Sequence, residues 1–147
     1  MFASKYQRDS GESPGFLFIK TYNQWYGKIQ KTLKTIELTH PQFVLLAVLA
    51  YLTHQGVQPT QKMIASHASM DVMTTSQVLR LLEKKEYIKR QPHPVDTRAN
   101  MICLLPAGEK KINAAIPLIE KVDIAYFGVL GADLCGFTEL LRRLVNA

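Results

Sequence analysis

Between Asp71 and Arg98 the sequence gathers polar and cationic side chains at regular spacing. Met73, Gln77, Arg80 and Lys84 follow one another by four, three and four residues, with Thr74 and Ser76 beside them. This spacing places them on one face of a helix. Amide, hydroxyl and guanidinium groups in such a row donate and accept hydrogen bonds, and the row holds no carboxylate. That chemistry suits reading base edges and neutralising phosphates, because an acid there would repel a polyanion. Thr75, Val78, Leu79 and Leu82 fall on the opposite side of the wheel and would hold the helix to a core. Glu83 and Glu86 lie to the side, near the C-terminal end. The plain alternative is the solvated face of an ordinary amphipathic helix.

A second group of candidates follows. Tyr87–Gln91 is strand-like and carries Lys89 and Arg90, which with Lys84 would add attraction for phosphate. Pro92 and Pro94 lack backbone donors, so the strand is expected to end before Pro92. Asn100–Leu105 reads as its partner, giving a hairpin with a long tip that carries His93, Asp96 and Arg98. Asp96, two residues before Arg98, can accept backbone N–H groups in the turn and pair with the arginine. An arginine on an extended tip suits a narrow, negative minor groove. A solvated loop is the alternative here.

Nothing in the chain points to catalysis or a cofactor. There is no Gly-rich phosphate loop, no HExxH and no GxSxG. His40, His54, His67 and His93 lack zinc-type spacing, so no metal is expected. Cys103 and Cys135 form no short-range pair; they read as small buried apolar residues of a protein kept in a reducing cytoplasm.

The elements that must position these side chains come next. The chain has 147 residues, enough for one domain with its own core, and 47% of them are apolar. The net charge is +6 and the pI about 9.4, which favours polyanionic partners. Residues 1–40 carry +3, residues 41–60 no charge, residues 61–100 +3, and residues 101–147 balance to zero. The middle of the chain is thus the candidate nucleic-acid surface. The apolar run Phe43–Leu52 is ten residues long, short of the roughly 20 needed to span a bilayer. The N-terminus lacks the apolar core of a signal peptide, so a soluble protein without a membrane segment is expected.

Residues 1–13 read as a frayed tail. Ser13 can cap a helix beginning at Pro14, whose apolar stripe runs Phe18, Tyr22, Trp25, Tyr26, Ile29, Leu33, Ile36. Packing is the first reading of this stripe. A ligand cleft lined by Tyr22, Trp25, Tyr26, Phe43 and Tyr51 is the second. Thr39 can cap a second helix that is apolar nearly all round and ends near Gly56 and Pro59. Thr60–Ala68 is a short third helix, with Met63, Ile64 and Ala65 inward. A break at Ser69-Met70-Asp71 follows, and Asp71 caps the fourth helix, expected over 71–86. Two helices joined by such a tight turn form a helix-turn-helix. From Pro106 a long helix runs towards Gly131, with a kink or break expected at Pro117. Asp133 should cap a last helix. One small core cannot bury all these terminal stripes, so they should meet a second copy of the chain in a homodimer.

Three stretches resemble the MarR family of bacterial transcription regulators: Leu38–Leu46, Met70–Arg90, and Asp96-Thr97-Arg98 followed by Leu104 and Gly108. The resemblance covers roughly residues 14–145. It implies a mainly α fold with a small β-hairpin wing: a winged helix-turn-helix at about 38–105, flanked by dimerisation helices at about 14–36 and 106–147, within a single domain 14–147. It also implies a DNA-binding regulator, usually a repressor, that reads a palindromic operator in double-stranded DNA and is released by a small aromatic effector. The sequence departs from the family pattern at Glu86, where the turn usually has Gly, at Leu105-Pro106, where a Thr commonly caps the next helix, and at Gln77, which replaces a frequent Arg. No cysteine lies near the first helix, where the peroxide-sensing branch of the family carries its reactive one. A winged-helix module for protein–protein contacts, without specific DNA binding, is the alternative function.

Overall fold

The computed structural model describes residues 1–147. The chain divides into two compact units, one of residues 32–120 and one of residues 1–31 with 121–147. The helices are α1 (Pro14–Lys34), α2 (His40–His54), α3 (Gln61–His67), α4 (Val72–Lys84), α5 (Pro106–Phe127) and α6 (Leu134–Val145). Strands β1 (Ile88–Pro92) and β2 (Asn100–Leu104) stand between α4 and α5.

In the larger unit α2 supplies the centre of the core. Leu45, Leu46 and Leu49 are fully buried, as are Ile64 of α3, Leu79 and Leu82 of α4, Ile88 and Ile102 of the hairpin, and Ile112 and Ala115 of α5. Each such Leu or Ile contributes about 1.5–3 kcal/mol relative to exposure. Met63 does not join them. It is 42% exposed, and only Ile64 and Ala65 of α3 are buried.

Side chains set where the helices start. Thr39 Oγ1 accepts the Gln42 amide while Gln42 Oε1 accepts the Thr39 amide, a reciprocal capping box. Thr60 caps α3 through the Met63 amide at 3.2 Å. Asp71 caps α4 through the Thr74 amide at 2.8 Å. Four helices end in the same reversal. Leu38, Val57, Met70 and Tyr87 donate back to the carbonyls of Leu33, Leu52, Ala65 and Leu82 at 3.0–3.1 Å. The residue before each donor has positive φ: Glu37 at 57°, Gly56 at 80°, Ser69 at 52° and Glu86 at 60°. Only Gly56 adopts this conformation without a Cβ penalty. The usual glycine turn after α4 is therefore kept in shape although its residue is Glu86.

β1 and β2 pair antiparallel with Ile88 opposite Leu104 and Pro92 opposite Asn100. The ladder thus runs through Pro92. The His93 amide adds one further rung to Ala99 O at 3.0 Å, so proline stops the hairpin later than its missing donor would require. A third chain segment touches the sheet: the Ile102 amide donates to Pro59 O at 2.9 Å, and Thr60 bridges Met101. Gly108 is buried against the base of the hairpin. A Cβ there would lie 2.1 Å from Tyr87 O, so only glycine lets the first turn of α5 close on it.

The break at Pro117 and the cap at Asp133 do not form. α5 continues through Pro117 without a break. The proline frees the carbonyl of Asn113, and both residues are exposed, so water can take the missing bond. Asp133 makes no side-chain cap for α6, because its backbone is already helical at φ −82° and ψ −8°.

In the smaller unit, α1 and the end of α5 are joined by polar contacts: Trp25 Nε1 donates to Asp123 Oδ1 at 2.8 Å, and Tyr126 Oη meets Thr21 O and Gln24 Oε1 at 3.2 Å. Tyr22 and Tyr26 stack with ring centres 5.4 Å apart. Residues Ser10–Glu12 form a 3-10 turn capped by Asp9, so the N-terminal tail has local structure. No residue of α6 is buried, and Cys135 on it is exposed rather than a core position; Cys103 is half-buried. The segment Pro106–Val145 is long and apolar enough by composition to cross a membrane. It is interrupted at Gly131, whose φ of 54° and ψ of −125° separate α5 from α6.

Candidate nucleic-acid interface

The geometry of α4 begins with Asp71. Its Oδ1 accepts the Thr74 amide at 2.8 Å and its Oδ2 accepts the Thr74 hydroxyl at 2.6 Å. These two bonds hold its carboxyl below the ordinary carboxylate pKa. Thr75 is fully buried, its hydroxyl donating to Asp71 O at 2.8 Å. The first turn of α4 is thereby fixed from both sides. Along its outer face Met73, Gln77, Arg80 and Lys84 are exposed, and Thr74 and Ser76 are half-buried beside them. No Asp or Glu interrupts this row. The Thr74 hydroxyl proton belongs to Asp71, so Thr74 meets a partner as an acceptor.

Arg90 requires a correction. Its guanidinium turns into the unit instead of outward. Nη2 donates to Ser76 O at 3.0 Å, Nη1 to Gln61 Oε1 at 3.4 Å, and Nε lies 4.0 Å from Glu83 Oε2. The Arg90 amide also donates to Glu83 Oε2 at 3.2 Å. Arg90 therefore ties β1 to α3 and α4 and is not a free cation for phosphate. Glu83 and Gln61 are its partners, and neither role is legible in the sequence. Glu83 and Arg90 stand seven residues apart across a helix exit, which no helical or strand periodicity pairs. Lys85 is likewise engaged, donating to Glu37 O at 3.1 Å and Gln42 Oε1 at 3.3 Å. Lys84 and Lys89 remain exposed.

The hairpin tip is ordered by its own side chains. The Val95 and Asp96 amides both donate to His93 Nδ1 at 3.1 Å. The Arg98 amide donates to Asp96 Oδ1 at 3.1 Å, and the Ala99 amide to Asp96 O at 3.0 Å. His93 thus shapes the turn with its Nδ1 atom. Asp96 holds the backbone of Arg98, while the ion pairs of the chain are Glu83–Arg90 and Glu139–Arg142, so the expected Asp96–Arg98 side-chain pair is not formed. The Arg98 side chain is exposed.

The family model of the MarR family matches residues 38–99, which contain α2, α3, α4 and the hairpin tip. An uncharacterized HTH-type transcriptional regulator of Bacillus subtilis (strain 168), YdcH, is 40% identical over 134 residues, 89% of this chain and 91% of the relative. The chain belongs to the MarR family. Two solved structures share its fold. BpsR of Bordetella bronchiseptica, whose DNA binding is regulated by 6-hydroxynicotinic acid, has a TM-score of 0.84 at 24% identity and covers 94% of this chain and 96% of its own. MepR of S. aureus in complex with DNA has a TM-score of 0.81 at 24% identity and covers 92% and 98%. The architecture is the MarR winged helix, mainly helical with the two-stranded hairpin as its wing, and the protein is a DNA-binding transcriptional regulator.

The five aromatic residues expected to line a ligand cleft fall in both compact units of this MarR-family chain. Tyr22, Trp25 and Tyr26 form an aromatic cluster on α1 in the smaller unit. Phe43 and Tyr51 belong to the larger one. Phe43 is half-buried, while Tyr51 is exposed, with its ring 5.8 Å from that of His67.

Proposed function

We propose that the protein is a homodimeric repressor that binds a palindromic operator in the cytoplasm and is released by a small aromatic effector. The outer face of α4 carries this reading: a capped, core-anchored helix with an exposed row of neutral and cationic groups and no acid among them. Met73, Thr74, Ser76, Gln77 and Arg80 then meet base edges in the major groove. Lys84 and Lys89 lie against phosphates, and Arg98 enters the minor groove on a turn ordered by His93 and Asp96. Arg90 acts only through the structure it braces. The solved MepR–DNA complex supports the DNA reading by fold, and BpsR supports an effector of aromatic type.

The dimer reading rests on apolar surface that one chain leaves uncovered. Phe18 is 59% exposed, Ile124 73% and Leu144 70%, spread over α1, α5 and α6. A patch of this kind usually marks an interface, and a two-fold pair matches a palindrome. The domain arrangement follows: α2 to β2 read DNA, and the terminal helices pair the subunits.

Selection of bound DNA from a random pool tests all of this together. The expected result is two inverted half-sites about 10 bp apart, one turn of the duplex. Enrichment without two-fold symmetry would remove the dimeric operator reading. No enrichment at all would leave a winged-helix module for protein contacts.

A further inference from the structure

The larger unit holds a cavity of about 380 Å³ between α2, the end of β2 and the first half of α5. Its apolar lining includes Leu104 and Ile116, and its polar lining includes Tyr51, His54, Glu109 and Asn113. The size is that of a small-molecule site. Three observations fix the kind of molecule. The lining contains one carboxylate and no Lys or Arg. The side chains of Tyr51, His54, Glu109 and Asn113 make no hydrogen bond or ion pair within the chain, so their polar groups are available together. The Asn113 carbonyl has also lost its helical partner, because Pro117 four residues on has no N–H. Acceptors are therefore in surplus, and the exposed Tyr51 ring adds a face that attracts cations.

We infer that this cavity binds a small organic amine, its ammonium at Glu109 and its apolar body against Leu104 and Ile116. An aromatic carboxylate of the same size would bring a second negative charge to Glu109 with no Lys or Arg in the lining to offset it. Leu104 is the last residue of β2 and pairs with Ile88 at the base of the wing. An occupant there bears directly on the hairpin. This coupling rests on the operator reading above, while the binding itself does not.

The test is an NMR titration of the ¹⁵N-labelled full chain with phenethylamine and, separately, with phenylacetate. Phenethylamine should give saturable amide shifts in residues 47–54, 104 and 109–116, and phenylacetate should not. Glu109→Gln should weaken phenethylamine about tenfold or more, and Glu109→Lys should invert the preference towards phenylacetate. Both variants should bind selected DNA as the parent does when no amine is present, and saturating phenethylamine should weaken the parent's DNA binding. Absence of saturable shifts, equal binding of the two probes, or indifference to Glu109→Gln would overturn the site. Amine binding that leaves DNA affinity unchanged would overturn the coupling alone. Amine binding by a chain that selects no DNA would overturn the operator reading and leave the site standing.

Discussion

Replacing Arg90 by leucine separates two roles that a cation can have beside α4. In a bracing role, the loss is structural. The bond from Nη2 to Ser76 O at 3.0 Å has a charged donor, worth about 1.5–3 kcal/mol. The 3.4 Å contact with Gln61 is at the limit of a hydrogen bond and adds little. The Glu83 pair, at 4.0 Å with the Glu83 side chain 45% exposed, is worth about 0–1 kcal/mol. Against these stands a gain: Arg90 Nε is buried without a hydrogen-bond partner, and removing it relieves about 1 kcal/mol or more. Ser76 O keeps its bond within α4, so no acceptor is orphaned. The net cost is about 2 kcal/mol, which moves a urea midpoint by about 1 M for an m-value near 2 kcal/mol/M. In a phosphate-binding role, the fold would be unaffected, and the dependence of log K on log salt would flatten by about 0.9 for each phosphate no longer neutralised. The expected outcome for Arg90→Leu is the lowered midpoint with an unchanged salt slope. An unchanged midpoint with a flatter slope would refute the brace.

Other expectations follow from the same geometry. Arg98→Ala should weaken operator binding by about 1–3 kcal/mol and flatten the salt slope by about one, leaving the melting temperature in place; identical salt titrations for variant and parent would remove the wing from the interface. Gly108→Ala should cost more than about 3 kcal/mol, because backbone at Tyr87 must move to admit a Cβ 2.1 Å from its oxygen; a thermal melt within a few degrees of the parent would contradict this. Glu86→Gly should stabilise by about 0.5–1 kcal/mol by relieving φ of 60°, and a lower denaturation midpoint would argue against strain there. Burial lowers the pKa of His40 below 6.5, so between the two values the unfolded chain binds more protons. Its contribution is complete above pH 6.5 and is lost as pH falls through the folded value. Denaturation midpoints measured from pH 7.5 to 5 should decline, and His40→Gln should reduce the decline.

Helix α4 was legible because one periodicity carried its whole pattern. Thr75, Val78, Leu79 and Leu82 went inward and Met73, Gln77, Arg80 and Lys84 stayed outward, with Asp71 as the cap. The cap at Thr39 was equally local. What could not be read were the interactions that join separate elements. Arg90 alternates correctly for a strand, yet its direction is decided by Ser76 and Gln61, which reach it only after folding. Met63 has the apolar character of a core residue, but α3 turns only Ile64 and Ala65 into the core. The effects of Pro92, Pro117 and Asp133 were overdrawn, since each rule describes a residue's own bonds. Whether the missing bond matters depends on exposure at Pro117 and on backbone already helical at Asp133. Glu86 marks the reverse case: a reversal that favours glycine is held by the Tyr87 amide and Leu82 carbonyl despite its residue.

The charges of the larger unit divide into groups held by the fold and groups left to the surface. Residues 61–100 have seven basic and four acidic side chains. Of the basic ones, Lys85 and Arg90 are turned to internal acceptors. Of the acidic ones, Asp71 caps α4, Asp96 binds the wing turn, and Glu83 takes the Arg90 amide. Each of these three carboxylates faces backbone N–H groups that partly neutralise it locally, which weakens its field at the outer surface. Lys62, Arg80, Lys84, Lys89 and Arg98 are exposed, and Glu86 alone among the acids lacks such a partner. The exposed groups of this stretch without such a partner are thus five cations and one acid. The same bonds that shape the helix start and the wing turn hold Asp71 and Asp96 against backbone N–H groups.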